Sequence, residues 1–279
     1  MLCTRIVGVI HVKNNVVVKG IQLEGLRALG KPDAFANYYY TQGIDEIVLL
    51  DVVASLYQRT FQPDIIRMVA GASFVPLAVG GGIRSVTDAV SILRAGADKV
   101  IVNTSGVARP SLLSEIASVL GSQSLTVLIE ARRHNRLGWE AMTNNGRECS
   151  GRSVVDWARE AEEMGAGEIL LVSVDNDGSM SGYDLALIQD VSDALTVPLV
   201  VCGGCGVGRH AVAAMQAGAD AVGISSALHY RAIRHIVSDT ENTQEGNVEF
   251  LKGQRGDIPY GISVGDAKVA LQQAGYNVR

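Results

Sequence analysis

The chain is short of the residues that most often announce a metal or redox centre: among 279 residues there are four cysteines and five histidines. Cys202-Gly203-Gly204-Cys205 matches C-x-x-C, but no second pair and no histidine cluster stands at zinc spacing around it. The motif therefore reads first as a glycine turn closing a strand, with metal or redox use as the other reading. No apolar run is long enough to cross a bilayer, and Met1-Leu2-Cys3-Thr4-Arg5 leads into a strand rather than a signal peptide. A cytoplasmic protein with no membrane contact is expected. Positive charge is also in short supply. A net charge of −5 argues against a general nucleic-acid surface, whereas a local phosphate pocket needs only a few donors.

What the chain has instead is a long internal repeat. Val75-Pro76-Leu77-Ala78-Val79-Gly80-Gly81-Gly82 returns 122 residues later as Val197-Pro198-Leu199-Val200-Val201-Cys202-Gly203-Gly204. At the same shift Ala95-Gly96-Ala97-Asp98 reappears as Ala217-Gly218-Ala219-Asp220. A repeat of this length is half of a closed architecture rather than a solenoid unit. Apolar runs near residues 5–10, 46–50, 76–79, 99–102, 125–129, 168–172, 198–201 and 221–224 have little polar alternation, as strands buried on both faces should. Between them lie helical patterns such as Val154 to Met164, stopped at Gly165. Strand then helix, eight times over, predicts an α/β fold: a single (β/α)₈ TIM barrel over residues 1–279 with a twofold half-barrel repeat. A doubly wound open sheet does not require two near-identical halves.

Barrel chemistry sits at the C-terminal ends of the strands, and phosphates bind there on glycine-rich loops. Gly80-Gly81-Gly82 with Asn103-Thr104-Ser105 makes one candidate phosphate site. Gly203-Gly204 with Ser225-Ser226 makes the other, framed by Asp177-Gly178-Ser179. Any one of these glycines alone reads as a tight turn. As a duplicated pair on opposite sides of one mouth, they fit a long substrate with a phosphate at each end.

With these residues in view, the chain resembles the cyclase subunit of imidazole glycerol phosphate synthase, of the histidine pathway. The resemblance runs from Arg5 to about Tyr230 and resumes over Val264 to Arg279. It rests on Val12-Lys13, Val17-Val18-Lys19-Gly20, Leu50-Asp51, Val79 to Ser85, Ala95 to Val100, Asp177-Gly178-Ser179 and Ser181-Gly182-Tyr183-Asp184. It implies no cofactor and no metal. It does imply a class I glutamine amidotransferase partner, docked at the bottom of the barrel, whose ammonia passes through the interior to a two-phosphate aminoimidazole ribonucleotide. The family's ring of four charged residues at the base is matched by Arg5, Glu46, Lys99 and Glu168, and Lys19 and Asp51 are carried over as substrate-binding residues.

The top of the barrel departs from the family pattern. Where the family ends its first and fifth strands in aspartates that act as acid and base, this chain has His11 and Glu130. Glu130 keeps a carboxylate on a longer stem, and an imidazole can do acid–base work near neutral pH without being a permanent anion. Val172 stands where the family usually has a small hydroxyl residue. After Tyr230 an insertion, residues 231–262, reads either as a lid over the mouth or as a solvated excursion.

These departures lead to an ammonia-using synthase subunit of a glutamine amidotransferase complex, acting on a phosphorylated ribonucleotide or sugar, with amidination of a surface-glycan sugar as the expected reaction. The alternative is the histidine-pathway cyclisation itself, with His11 and Glu130 as working replacements. Two further readings are a phosphoribosyl isomerase, which has no need of the charged ring, and a non-catalytic scaffold, which has no need of Lys19, Asp51 or the phosphate loops.

Overall fold

The computed structural model describes residues 3–236 and 261–279. Eight strands, β1 (Arg5–Lys13), β2 (Glu46–Asp51), β3 (Leu77–Gly80), β4 (Lys99–Val102), β5 (Leu125–His134), β6 (Glu168–Ser173), β7 (Leu199–Cys202) and β8 (Ala221–Ile224), pair in parallel in that order, and β8 pairs back onto β1. The sheet is closed: a (β/α)₈ barrel. Its helices are α1 (Pro32–Thr41), α2 (Pro63–Ala72), α3 (Val86–Arg94), α4 (Ser111–Leu120), α5 (Val154–Glu163), α6 (Leu185–Ser192), α7 (Gly208–Gln216) and α8 (Val264–Gln273), each after the strand of the same number. Among the described residues no helix is long and apolar enough to cross a membrane.

Local chemistry starts and stops these elements. Pro32 and Pro63 open α1 and α2, where a missing N–H costs nothing. Ser85, Ser153, Asp184 and Ser263 cap α3, α5, α6 and α8 by accepting a backbone N–H of the first turn. The helix predicted over Val154 to Met164 is α5, with Met164 as its C-cap and Gly165 left-handed at φ 100°. The runs predicted near 76–79 and 198–201 form strands one residue later, because the prolines at 76 and 198 have no N–H to give a ladder.

The repeat is visible in the backbone. The Leu77 N–H donates to Asp98 Oδ2 at 2.8 Å, and the Leu199 N–H donates to Asp220 Oδ2 at 2.8 Å. Asn103 and Ser225, at equivalent positions, share nearly the same backbone angles, φ −130° and ψ −93° against φ −115° and ψ −90°. Each begins a short helix, Thr104–Ala108 and Ser226–Ala232.

Because side chains alternate along a strand, every second residue faces the barrel axis. Val7, Val9, Val48, Leu50, Ala78, Ile101, Leu128, Leu170, Val172, Val200, Cys202 and Ala221 form this inner core. The intervening residues, such as Ile6, Ile10, Ile47, Leu49, Val127 and Ile169, pack outward against the helices. Two hairpins rise from the C-terminal end: Val16–Ile21 with Glu24–Gly30 continues from β1, and Gly138–Thr143 with Glu148–Ser153 continues from β5. Of the insertion expected over 231–262, residues 237–260 lie outside the described residues.

The glycine turns are tightly enclosed. A Cβ on Gly204, at φ +106°, would lie 2.0 Å from the Gly182 carbonyl oxygen, whereas one on Gly25, at φ +63°, would meet nothing within 4 Å. Gly25→Ala should therefore cost only the left-handed penalty, about 1 kcal/mol. Gly204→Ala adds a backbone clash and should cost about 3 kcal/mol. Denaturant unfolding of the two variants checks this order.

Candidate functional site

The alternation that fills the barrel core also places charge at both of its ends. The inward column of β1 reads Arg5, Val7, Val9, His11, and that of β5 reads Thr126, Leu128, Glu130. Columns on β2, β4 and β6 begin at Glu46, Lys99 and Glu168.

At the base the four charges form a closed ring. Arg5 donates to Glu46 and, at 2.7 Å, to Glu168, while Lys99 reaches Glu46 at 2.9 Å and Glu168 at 3.0 Å. Thr126 Oγ1 donates to Glu168 Oε1 at 3.2 Å. Burial would raise the Glu168 pKa, but Lys99 and Arg5 together hold it below the usual carboxylate range. Burial likewise opposes the Arg5 charge, and Glu168 and Glu46 more than restore it. Each buried carboxylate is matched by two cations, which offsets the cost of desolvating them.

At the mouth neither His11 nor Glu130 is held in an ion pair of this kind. His11 and Glu130, on strands opposite one another in barrel order, line one cavity of about 480 Å³. Desolvation pushes Glu130 up to about 7, against the N–H of Gly146 at 2.9 Å and Asn103 Nδ2 at 3.0 Å, both of which donate to its Oε2. Desolvation lowers the His11 pKa, with Asp177 opposing, and raises that of Asp177, with His11 opposing. Near neutral pH this pairs a partly protonated carboxyl with a largely neutral imidazole.

The first candidate anion site belongs to the same cavity: Gly81, Gly82, Asn103, Thr104, Asp51 and Arg59 line it. Asp51 accepts from the Val53 N–H at 3.0 Å and meets Arg59 Nη2 at 2.8 Å. Arg59 Nη1 and Asn103 Oδ1 are buried, with no hydrogen-bond partner among the described residues. The second site is a shallow depression of about 10 Å³ formed by Asp177, Gly178, Gly203, Gly204, Ser225 and Ser226. Lys19 enters neither. It donates to the Tyr230 hydroxyl, with its ammonium 4.3 Å from the ring centroid, beside a separate hollow under the β1 hairpin. Val172 lies on the floor of the first cavity with Leu50, Ile101 and Leu128.

Sequence reasoning missed Arg59 and the hairpin tip. Asn145-Gly146 is a two-residue hairpin turn signal, and Asn145 and Gly146 are left-handed at φ 60° and 72°. The tip gives the Gly146 N–H to Glu130, the Asn144 N–H to Thr104 Oγ1 at 3.0 Å and Asn145 Nδ2 to the Leu23 carbonyl at 3.2 Å. No sequence signal pointed to Arg59.

Among the described residues, no three His, Cys, Asp or Glu side chains gather as a metal site. Cys202 and Cys205 are free and buried, and burial pushes both thiols up, Cys205 to about 11. Neither is poised as a thiolate.

The residue pattern of the histidine biosynthesis protein family matches residues 5–234. The imidazole glycerol phosphate synthase subunit HisF of Legionella pneumophila is 48% identical over 202 residues, spanning 72% of this chain and 95% of that protein. The proteins of the same name from Pyrococcus furiosus and Mycobacteroides abscessus are each 43% identical, over 82% and 83% of this chain and 91% and 93% of their own lengths. A family match over most of the chain and relatives at 43–48% identity show that the chain belongs to the histidine biosynthesis protein family.

Proposed function

We propose that the chain is the cyclase-type subunit of imidazole glycerol phosphate synthase. In this reading a glutaminase partner of the class I amidotransferase type docks at the base and supplies ammonia, and the acceptor is a ribonucleotide with a phosphate at each end. The carrying observation is that the inward-facing side chains of the barrel form a closed ring of charges at one end and bring His11 and Glu130 into one cavity at the other. The relatives are named as subunits of the histidine-pathway synthase and not for any glycan. The expected surface-glycan reaction therefore gives way to its alternative.

The residues divide the work by their surroundings. Arg5, Glu46, Lys99 and Glu168 seal the base until a partner disturbs their pairing. Phe74 and Tyr40, exposed edge to face at 5.7 Å, stand on the same end of the barrel and offer the aromatic anchors that interfaces favour. At the mouth, Glu130 near pKa 7 gives a proton and neutral His11 takes one, while the glycine turns hold the two phosphates. The ring counts against an isomerase that works alone. The imidazole at residue 11 and the apolar Val172 beneath it favour, as a second reading, the same ammonia chemistry on a different phosphorylated acceptor.

Four results test this. Lys99→Ala breaks both of the lysine's ion pairs, so glutamine-driven turnover should fall while ammonium-driven turnover survives; an equal fall in both would discount the gate. Ammonium-driven turnover, expressed per free NH₃, should rise with pH as His11 loses its proton below its usual range, then fall as Glu130 ionises near 7. Glu130→Gln should remove the falling limb and cost about a hundredfold in turnover. Finally, His11→Asp should preserve or raise formation of imidazole glycerol phosphate. If it abolishes a native reaction that runs on another acceptor, the second reading takes over.

A further inference from the structure

The two halves of the barrel differ at one place where their shared architecture does not require it. His229 is fully buried on the short helix Ser226–Ala232, and Tyr39 is fully buried on α1. At the repeat-equivalent positions, 122 residues apart, stand Val107 and Ala161. Phe35, packed edge-on against His229 with centroids 5.3 Å apart, has its equivalent in Trp157. At those positions the other half has neither an imidazole nor a phenol. A buried imidazole and phenol must be desolvated there, a cost that Val and Ala avoid.

Their hydrogen bonds lead to the second anion site. Tyr39 Oη meets His229 Nδ1, and His229 Nε2 lies 3.4 Å from Ser225 Oγ. Ser225 lines the second depression with Gly203, Gly204 and Ser226. Among the described residues Tyr39 Oη has no other polar partner. Its proton therefore goes to Nδ1, since the reverse arrangement would leave a buried O–H without an acceptor. The imidazole proton is then on Nε2, directed at Ser225 Oγ. With that oxygen already accepting, the serine's own proton is free to turn toward the depression. The opposite tautomer would draw the serine proton inward and present a lone pair to an anion. Burial, with His11 and Lys19 nearby, pushes the His229 pKa down to about 3, so the ring stays neutral and the Nε2 proton is the only one it has to give.

We propose that His229 is a positioning residue of the second anion site: held in its Nε2–H tautomer by Tyr39, it makes the Ser225 hydroxyl a donor to the bound phosphate group. This rests on the two-phosphate reading above. The first half is built differently: Asn103, in the position of Ser225, has an amide nitrogen with two protons, one of which goes to Glu130 Oε2, and no imidazole stands behind it.

The test is NMR on the full chain with inorganic phosphate as probe. Long-range ¹⁵N spectra report the tautomer of His229. Amide shifts of Gly204 and Ser226 follow the second site, and those of Gly82 and Thr104 follow the first. Wild type should show His229 in the Nε2–H form. Tyr39→Phe should mix the tautomers and weaken phosphate at the second site about tenfold, the value of one hydrogen bond to a charged group, with the first site unchanged. Ser225→Ala should weaken it as much, and the double variant no further. An Nδ1–H tautomer in wild type would overturn the relay. So would unchanged second-site affinity in Tyr39→Phe when wild type binds phosphate at both sites. Wild type binding phosphate at neither site would instead overturn the two-phosphate reading and this inference with it.

Discussion

Everything at the two ends of this barrel depends on one geometric constraint: eight parallel strands closed into a ring admit only every second side chain to the axis. Once Val7 and Val9 face inward, Arg5 must face inward below them and His11 above. The same holds for Thr126, Leu128 and Glu130, and for Glu168, Leu170 and Val172. A one-residue slip in β1, β2 or β6 would put a charge among the helices and Ile6, Ile47 or Ile169 in its place at the base. The gate and the mouth are thus specified together, by a register that the outer helices enforce from the other face.

The two ends use burial in opposite senses. At the base, four charges of alternating sign neutralise one another, and the Glu168 pKa falls despite desolvation. At the mouth no such neutralisation is available to Glu130, whose donors are one backbone N–H and one amide, and desolvation wins. Under the proposed function, a sealed salt-bridge ring suits an entrance that stays shut until a partner opens it. A carboxyl poised near neutrality suits proton transfer. The hairpin tip at Asn144 to Gly146 ties that carboxyl to Thr104 on one side and Leu23 on the other, so the acid is held by the same loops that frame the first anion site.

Duplication explains the scaffold, and departures from it locate the specialised chemistry. The paired Leu–Asp contacts, the glycine turns and the backbone at Asn103 and Ser225 repeat closely. The side chains standing on that backbone do not: Arg59, Arg84 and Arg109 line the first cavity with Asp51 and Glu130, whereas among the described residues the second depression carries the Asp177 carboxylate and no arginine or lysine. The two ends of a substrate would therefore meet the same turn in different fields.

Whereas the four-charge ring was carried by the family resemblance, the barrel and its eight strands were legible in the sequence because they depend on local pattern, apolar runs of strand length and a shift of 122 residues. So was the convergence of His11 with Glu130, since strand order and parity suffice to place both at the mouth. What only the tertiary structure decided were contacts between segments far apart in the chain. Lys19 lies against Tyr230 and not in a phosphate cavity, Arg59 turns onto Asp51, Gly146 reaches Glu130, and Tyr39 meets His229. Protonation belongs to this second group as well, because a pKa near 7 for Glu130 comes from the water that the folded mouth excludes, and no single residue type carries that information.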